Sequence, residues 1–152
     1  MRISAKGGWT MVGAYDQDGV RFKYPANWRL ERQDNEDGWT VTVQSPDTAF
    51  FMLCCCDALP EPVGMADSAL DALREEYEDL EADASVDSIA GQPAVGHDIR
   101  FFSLDLPNTC WTRSFFGPRG TLLAMCQLND LESAKNEPVL RAICASLTVE
   151  DE

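Results

Sequence analysis

The chain has 152 residues, 45% of them hydrophobic and 25% charged, which is the composition of one globular domain and excludes disorder, collagen-like repeats and a second enzyme-sized module. Twelve Lys and Arg against 26 Asp and Glu give a net charge of −14. A surface that negative repels phosphate backbones and anionic lipid, so neither nucleic acid nor a membrane surface is expected as a partner.

Residues 1–9 carry two positive charges but no apolar stretch and no cleavage pattern, and no run anywhere approaches the ~20 apolar residues of a membrane span. The expectation is a cytoplasmic protein, with residues 1–8 a flexible tail and residues 9–150 a single domain. Val20, Phe22 and Tyr24 alternate with Arg21 and Lys23 after the turn Asp16-Gln17-Asp18-Gly19, predicting a hairpin with a strand near residues 10–15. Pro25 stops that strand. Alternation resumes at Trp28 and Leu30, breaks at Asp34-Asn35-Glu36-Asp37-Gly38 and returns at Trp39, Val41 and Val43. The run 49–56 is apolar on both faces, which predicts a central strand with both sides of the sheet covered.

After Pro60-Glu61-Pro62 the period changes from about 2 to about 3.6. Ala66, Leu70, Leu73, Tyr77 and Leu80 form the stripe of one amphipathic helix, predicted to end near Glu81. Its outer face is acidic: Asp67, Asp71, Glu75, Glu76, Glu78, Asp79, Glu81 and Asp83 stand against one base, Arg74. Strand signals return from Ser85 as a meander, with turns at Gly91-Gln92-Pro93, Leu106-Pro107-Asn108 and Gly117-Pro118-Arg119-Gly120. Asn129-Asp130 caps a short turn, and Pro138 is suited to the first position of a last helix carrying Val139, Ala142, Ile143 and Leu147. Strands, helix, strands, helix predict an α+β fold, an α/β/α sandwich with a mostly antiparallel, meander-rich sheet and two main helices.

The hairpin running into Val20-Arg21-Phe22-Lys23-Tyr24-Pro25-Ala26-Asn27-Trp28, the helix, the strand opening at Ile89-Ala90-Gly91-Gln92-Pro93-Ala94, the meander and a last helix closing on Ala145-Ser146-Leu147 resemble the PsbP/Mog/DcrB-like family over about residues 10–148. The resemblance implies a small α/β/α sandwich that acts mostly without catalysis. Its members include a photosystem extrinsic subunit, a Ran-binding nuclear import factor and DcrB-like proteins, some of them secretion-associated chaperones.

The chemistry-bearing motifs are few. Gly-x-Ser-x-Gly, His-Glu-x-x-His, a Walker loop and Cys-x-x-Cys are all missing, so no cofactor, no metal and no catalytic residue is expected. The six cysteines read as free core thiols acting as small hydrophobes; on a strand, Cys54 and Cys56 face one way and Cys55 the other. If the last hairpin closes about residues 105–108, Cys110 falls opposite Ser103, ~20 Å along the strand from His97, too far for a Cys/His nucleophile. The same register sets Arg100 opposite Arg113 with Asp98 one step along. That makes the two arginines a candidate small-anion or carboxylate site, unless an acid neutralises them or the register slips.

Trp9, Trp28, Trp39 and Trp111, with Phe101, Phe102, Phe115 and Phe116, are mostly core, the remainder able to line a groove for a partner segment. The leading expectation is therefore a non-catalytic protein-binding or adaptor module meeting a basic partner surface through Asp71, Glu75, Glu76, Glu78 and Asp79. The alternatives are a small anion-binding domain or enzyme using Arg100 and Arg113, and a secretion-associated chaperone for a hydrophobic segment, which requires an exposed apolar groove.

Overall fold

In the computed structural model, residues 11–150 are described, and the predicted tail over residues 1–8 lies outside them, as does Trp9. Asp18 and Gly19, with φ of 57° and 77°, close a two-residue turn between β1 (Val12–Gln17) and β2 (Val20–Pro25). Asp and Gly adopt that left-handed backbone at least cost, and its twist matches the flanking strands. A second hairpin joins β3 (Arg29–Asn35) to β4 (Gly38–Gln44), and β5 (Phe50–Cys56) pairs with β4. Helix α1 spans Pro62–Glu76, with Pro62 in the first turn, where its missing N–H has no helical partner to lose. Then come β6 (Glu81–Ile89), β7 (Gln92–Ser103), β8 (Leu106–Phe116), β9 (Thr121–Asn129), a 3-10 turn at Asp130–Glu132, α2 (Ser133–Ser146) and the short β10 (Thr148–Val149).

Every strand pair is antiparallel. The strands form a central sheet of order β3-β4-β5-β9-β8-β7-β6 and a small sheet of order β1-β2-β10. Alternation sorts side chains between the two faces of the central sheet. Phe51, Leu53, Trp111, Phe115, Leu122 and Cys126 pack with Phe22 of the small sheet and Leu140 and Ile143 of α2. On the other face Ile99, Phe101, Cys110, Leu123 and Met125 meet Ala66, Leu70 and Leu73 of α1. The result is the expected α/β/α sandwich, with each fully buried Leu or Phe contributing ~1.5–3 kcal/mol. Among the described residues no helix is long and apolar enough to cross a membrane.

Three boundaries differ from the expectation. Helix α1 stops at Glu76, and Asp79, at φ 55°, turns the chain so that Glu81 and Asp83 begin a strand instead of ending the helix. Helix α2 starts at Ser133, and Pro138 lies inside it. Pro138 and Ala134 are both exposed, so water can take the Ala134 carbonyl that the ring leaves without a helical donor. The β7–β8 turn is Leu104-Asp105, with φ of 54° and 64°, and Pro107 belongs to β8 opposite Phe102, beyond the last β8–β9 pair, Asn108 with Asn129. There a missing N–H interrupts no ladder to β9.

Asp47, in the β4–β5 turn, ties this turn to the start of α2. It accepts from the Ser45 hydroxyl, from Asn136 Nδ2 at 3.1 Å and from Lys135 Nζ at 3.0 Å. Burial alone would raise its pKa, but Ser45, Lys135 and Asn136 outweigh it and hold the carboxyl well below the usual carboxylate range. Replacing Asp47 with Ala leaves the buried Asn136 amide without this acceptor and is expected to cost about 2 kcal/mol at neutral pH. Because the folded-state pKa is lowered, the contribution is complete above the unfolded value of about 4 and is lost as pH falls through the folded one. Thermal melts of wild type and Asp47→Ala should therefore converge in acid; a gap that widens there would disprove the assignment.

Candidate functional site

The arginine pair does not exist as a site. β7 and β8 pair four residues away from the predicted register, so Arg100 lies opposite Thr109 and Arg113 opposite Gly96, ~13 Å apart along the strands. Arg113 is 3% exposed and every guanidinium N–H is used. Nε donates to Asp87 at 2.7 Å, Nη1 to the Thr112 and His97 carbonyls at 2.7 and 3.2 Å, and Nη2 to Asp98 at 2.7 Å and Ser85 at 3.1 Å. Burial opposes the charge, but Asp98 and Asp87 outweigh it and raise the arginine's pKa. Gly96 permits the close approach, since a Cβ there would sit 1.8 Å from the Thr112 carbonyl oxygen. Arg100, half exposed, lies 3.6 Å from Glu81 and 3.3 Å from Asp83. The two guanidiniums thus do not share one site, and each already lies against carboxylates.

The acidic stretch is divided between three elements. Asp71, Glu75 and Glu76 are on α1, Glu78 and Asp79 on the turn after it, and all five are exposed. Among the described residues none of the five forms an ion pair, whereas the neighbouring Glu81 and Asp83 are taken by Arg100 and Asp67 lies 3.7 Å from His97 Nε2. Glu75 and Glu76 occupy the last turn of α1, where the helix dipole is negative and an acid costs ~0.3–1 kcal/mol.

Beside this helix end lies an apolar groove. α1 packs across β7, β8 and β9, which leaves the same face of β5 only partly covered. Phe50, Met52, Cys54 and Cys56, the residues of β5 on that face, are half-buried, while Phe51 and Leu53 on the other face are fully buried. The expectation that both sides of this strand are covered is thus corrected: the strand is central, but one apolar face meets a gap. The groove measures about 530 Å³ and runs between Phe50, Met52 and Cys54 of β5, Leu123, Met125 and Gln127 of β9, and Ala69, Ala72, Leu73, Glu76 and Tyr77 at the helix. Alanine at 69 and 72 keeps the helix wall low, and Tyr77 is fixed by stacking on Phe101 with ring centroids 4.0 Å apart. The predicted aromatic groove is not where the doublets suggested. Trp28, Trp39, Trp111, Phe101 and Phe115 are buried, and the exposed Phe102 and Phe116 stand at opposite ends of the β7–β8 pair.

No protein-family model and no curated protein sequence matches the chain. Its structure is similar to several solved ones. Cyanobacterial PsbP (CyanoP) from Synechocystis sp. PCC 6803 superposes with a TM-score of 0.61 at 14% identity, over 97% of this chain and 99% of that one. The chain has the PsbP-like fold. LpqN, involved in cell envelope biogenesis of Mycobacterium tuberculosis, shares it at a TM-score of 0.55 and 12% identity, over 93% of this chain and 91% of its own. PA94, a protein of unknown function from Pseudomonas aeruginosa, shares it at 0.57 and 11%, over 93% of this chain and 99% of its own. At these identities the likeness concerns the fold.

Within this PsbP-like fold the thiols are arranged otherwise than expected. Cys110 lies opposite Ile99, so His97 is two residues along from it, ~7 Å of strand instead of ~20 Å. Burial pushes the Cys110 thiol up to about 12, which disfavours its thiolate form despite the shorter separation. Cys126 on β9 and Cys144 on α2, which read in the sequence as isolated core cysteines, have their sulfurs 3.5 Å apart. No spacing signal announces that contact, because it depends on where α2 settles on the sheet.

Proposed function

We propose that this PsbP-like domain is a non-catalytic protein-binding module that holds a basic, amphipathic segment of a partner. The partner's apolar side lies in the groove and its cations face Glu75, Glu76, Glu78 and Asp79. The observation that carries this reading is β5: a central strand, apolar on both faces, with one face left partly uncovered at the acidic end of α1. Apolar surface kept open in a chain of net charge −14 is costly unless something covers it, and carboxylates gathered at the negative end of a helix dipole favour a cationic occupant. Charge at the rim sets the rate and choice of partner, while the groove supplies the buried area.

The test is a polarisation titration with a labelled peptide of about 16 residues, leucine on one helical face and lysine on the other. Saturable binding is expected, weakened about tenfold or more between low and high salt, by Met52→Lys, and by the Glu75→Lys/Glu76→Lys/Asp79→Lys variant. The groove also suits the chaperone reading, which differs in one respect. A chaperone for apolar segments would lose binding with Met52→Lys yet keep it in high salt and with the charge variant. Equal affinity for a glutamate-for-lysine peptide would remove the basic partner, and peptide binding unchanged by Met52→Lys would remove the groove.

A further inference from the structure

We propose that Cys144 and Cys126 form a hydroperoxide-reactive dithiol, in which Cys144 is the thiol oxidised and Cys126 resolves it to a disulfide joining α2 to the central sheet. The two sulfurs are 3.5 Å apart and, among the described residues, theirs is the one contact between two thiols. Access differs between them. Cys126 is fully buried, whereas Cys144 is partly exposed and lines a surface pocket of about 230 Å³ with Asp87, Trp111, Arg113 and Arg141. A small peroxide entering this pocket meets Cys144, and Cys126 lies behind it.

The surroundings favour attack at Cys144. The hydrogen bond with Cys126 holds the Cys144 thiol below its ordinary range, with Arg141 and Arg113 adding to the effect against the opposing burial. Arg141 is held in place by the Trp111 ring, 4.2 Å from its centroid. Burial drives the other way at Cys55 and Cys110, whose thiols are pushed up to about 11 and about 12. Reactivity follows thiolate character and access together, and Cys144 has both.

In the first step the Cys144 thiolate attacks one peroxide oxygen. An S–O bond forms, the O–O bond breaks, and the departing alkoxide takes from solvent the proton that Cys144 released on ionising and leaves as an alcohol, or as water when the oxidant is hydrogen peroxide. Cys126 then attacks the Cys144 sulfur. The S–S bond forms, the S–O bond breaks, and the leaving hydroxide takes the Cys126 proton and departs as water. Two thiols give up two electrons and two protons, and the hydroperoxide is reduced to alcohol and water. The sulfurs close from 3.5 Å to a bond of about 2.05 Å, a movement that falls on the last turn of α2, since Cys144 is two residues from its end at Ser146. The pair lies on the face of the sheet opposite the groove, so the inference is independent of peptide binding.

The experiment treats the reduced, full-length protein with equimolar hydrogen peroxide or tert-butyl hydroperoxide, blocks the remaining thiols with N-ethylmaleimide and maps tryptic peptides by mass spectrometry. Lys135 and Arg141 separate the two cysteines for the protease. The expected product is one linked peptide pair, Cys126 to Cys144, with one peroxide consumed for two thiols lost. Dithiothreitol should reverse it, and Tm should rise by about 5–10 °C while the bond is closed. Dimedone should label Cys144 in a Cys126→Ala variant, and Arg141→Gln should slow oxidation about threefold or more. Should Cys126→Ala fail to fold, the wild-type peptide map decides alone. Unreacted thiols, a different cysteine pair, or Cys144 carried to sulfinic acid without linkage would each overturn the proposal.

Discussion

Replacing Arg113 with Met is expected to lower the free energy of unfolding by about 3 kcal/mol in urea titrations. The residue is 3% exposed and its five side-chain N–H groups are donors shared among three strands: to Asp87 and Ser85 on β6, Asp98 and the His97 carbonyl on β7, and its own neighbour Thr112 on β8. Methionine fills the volume but returns none of these bonds, and two carboxylates, Asp87 and Asp98, are left without their cation. Both are about half exposed, so water relieves part of the penalty, which is why the effect belongs near the low end of about 3–5 kcal/mol for a broken buried pair. Arg113→Lys should recover less than half, because a single ammonium cannot reproduce the planar fork. Adding Asp87→Asn and Asp98→Asn to Arg113→Met should recover more than lysine does, since the unpaired charges are the main cost. A loss below about 1 kcal/mol for Arg113→Met would mean that the knot contributes little to the meander.

Phe51→Ala should be the costliest single truncation in the core, about 3–5 kcal/mol, and the neighbouring Met52→Ala should cost only about 1. Phe51 is fully buried on β5, and its ring is 5.1 Å from that of Phe22, so it joins the small sheet to the central one. Its removal leaves a cavity that two sheets and α2 cannot collapse together to fill. Met52 points to the other face of the same strand, into the groove, where one side is already open to water. Chemical denaturation of the two variants side by side measures the difference. Equal losses would show that something closes over Met52 in solution, and the groove would no longer be available to a partner.

Much of the fold was legible residue by residue. The alternation of Val20, Phe22 and Tyr24, the Asp18-Gly19 turn and the three-and-four spacing of Ala66, Leu70 and Leu73 are short-range signals, and each became the element it predicts. The helix end was misread because Leu80 continues the spacing. The helix ends where Tyr77 turns extended, with φ −122° and ψ 121°, and a left-handed Asp79 then redirects the chain; no period records either, and Leu80 still packs against the α1 layer.

The sites were far less legible. Every distance inferred for Arg100, Arg113, His97 and Cys110 depended on one turn, and Leu104-Asp105 has none of the usual turn composition beside the more conspicuous Pro107-Asn108. A slip of four residues keeps each side chain on its predicted face, because the strand period is two, but it exchanges every partner along the pair. Composition, charge, the strand and helix faces and the near-absence of recognisable catalytic motifs are properties of the chain by itself, since they rest on covalent order and contacts within a few residues. Which carboxylates neutralise Arg113, the meeting of Cys126 with Cys144 and the half-covered face of β5 were decided by the tertiary structure. The first follows from the register of β6, β7 and β8, the other two from β9 pairing between β5 and β8 and from where the two helices settle, choices governed by packing over the whole domain.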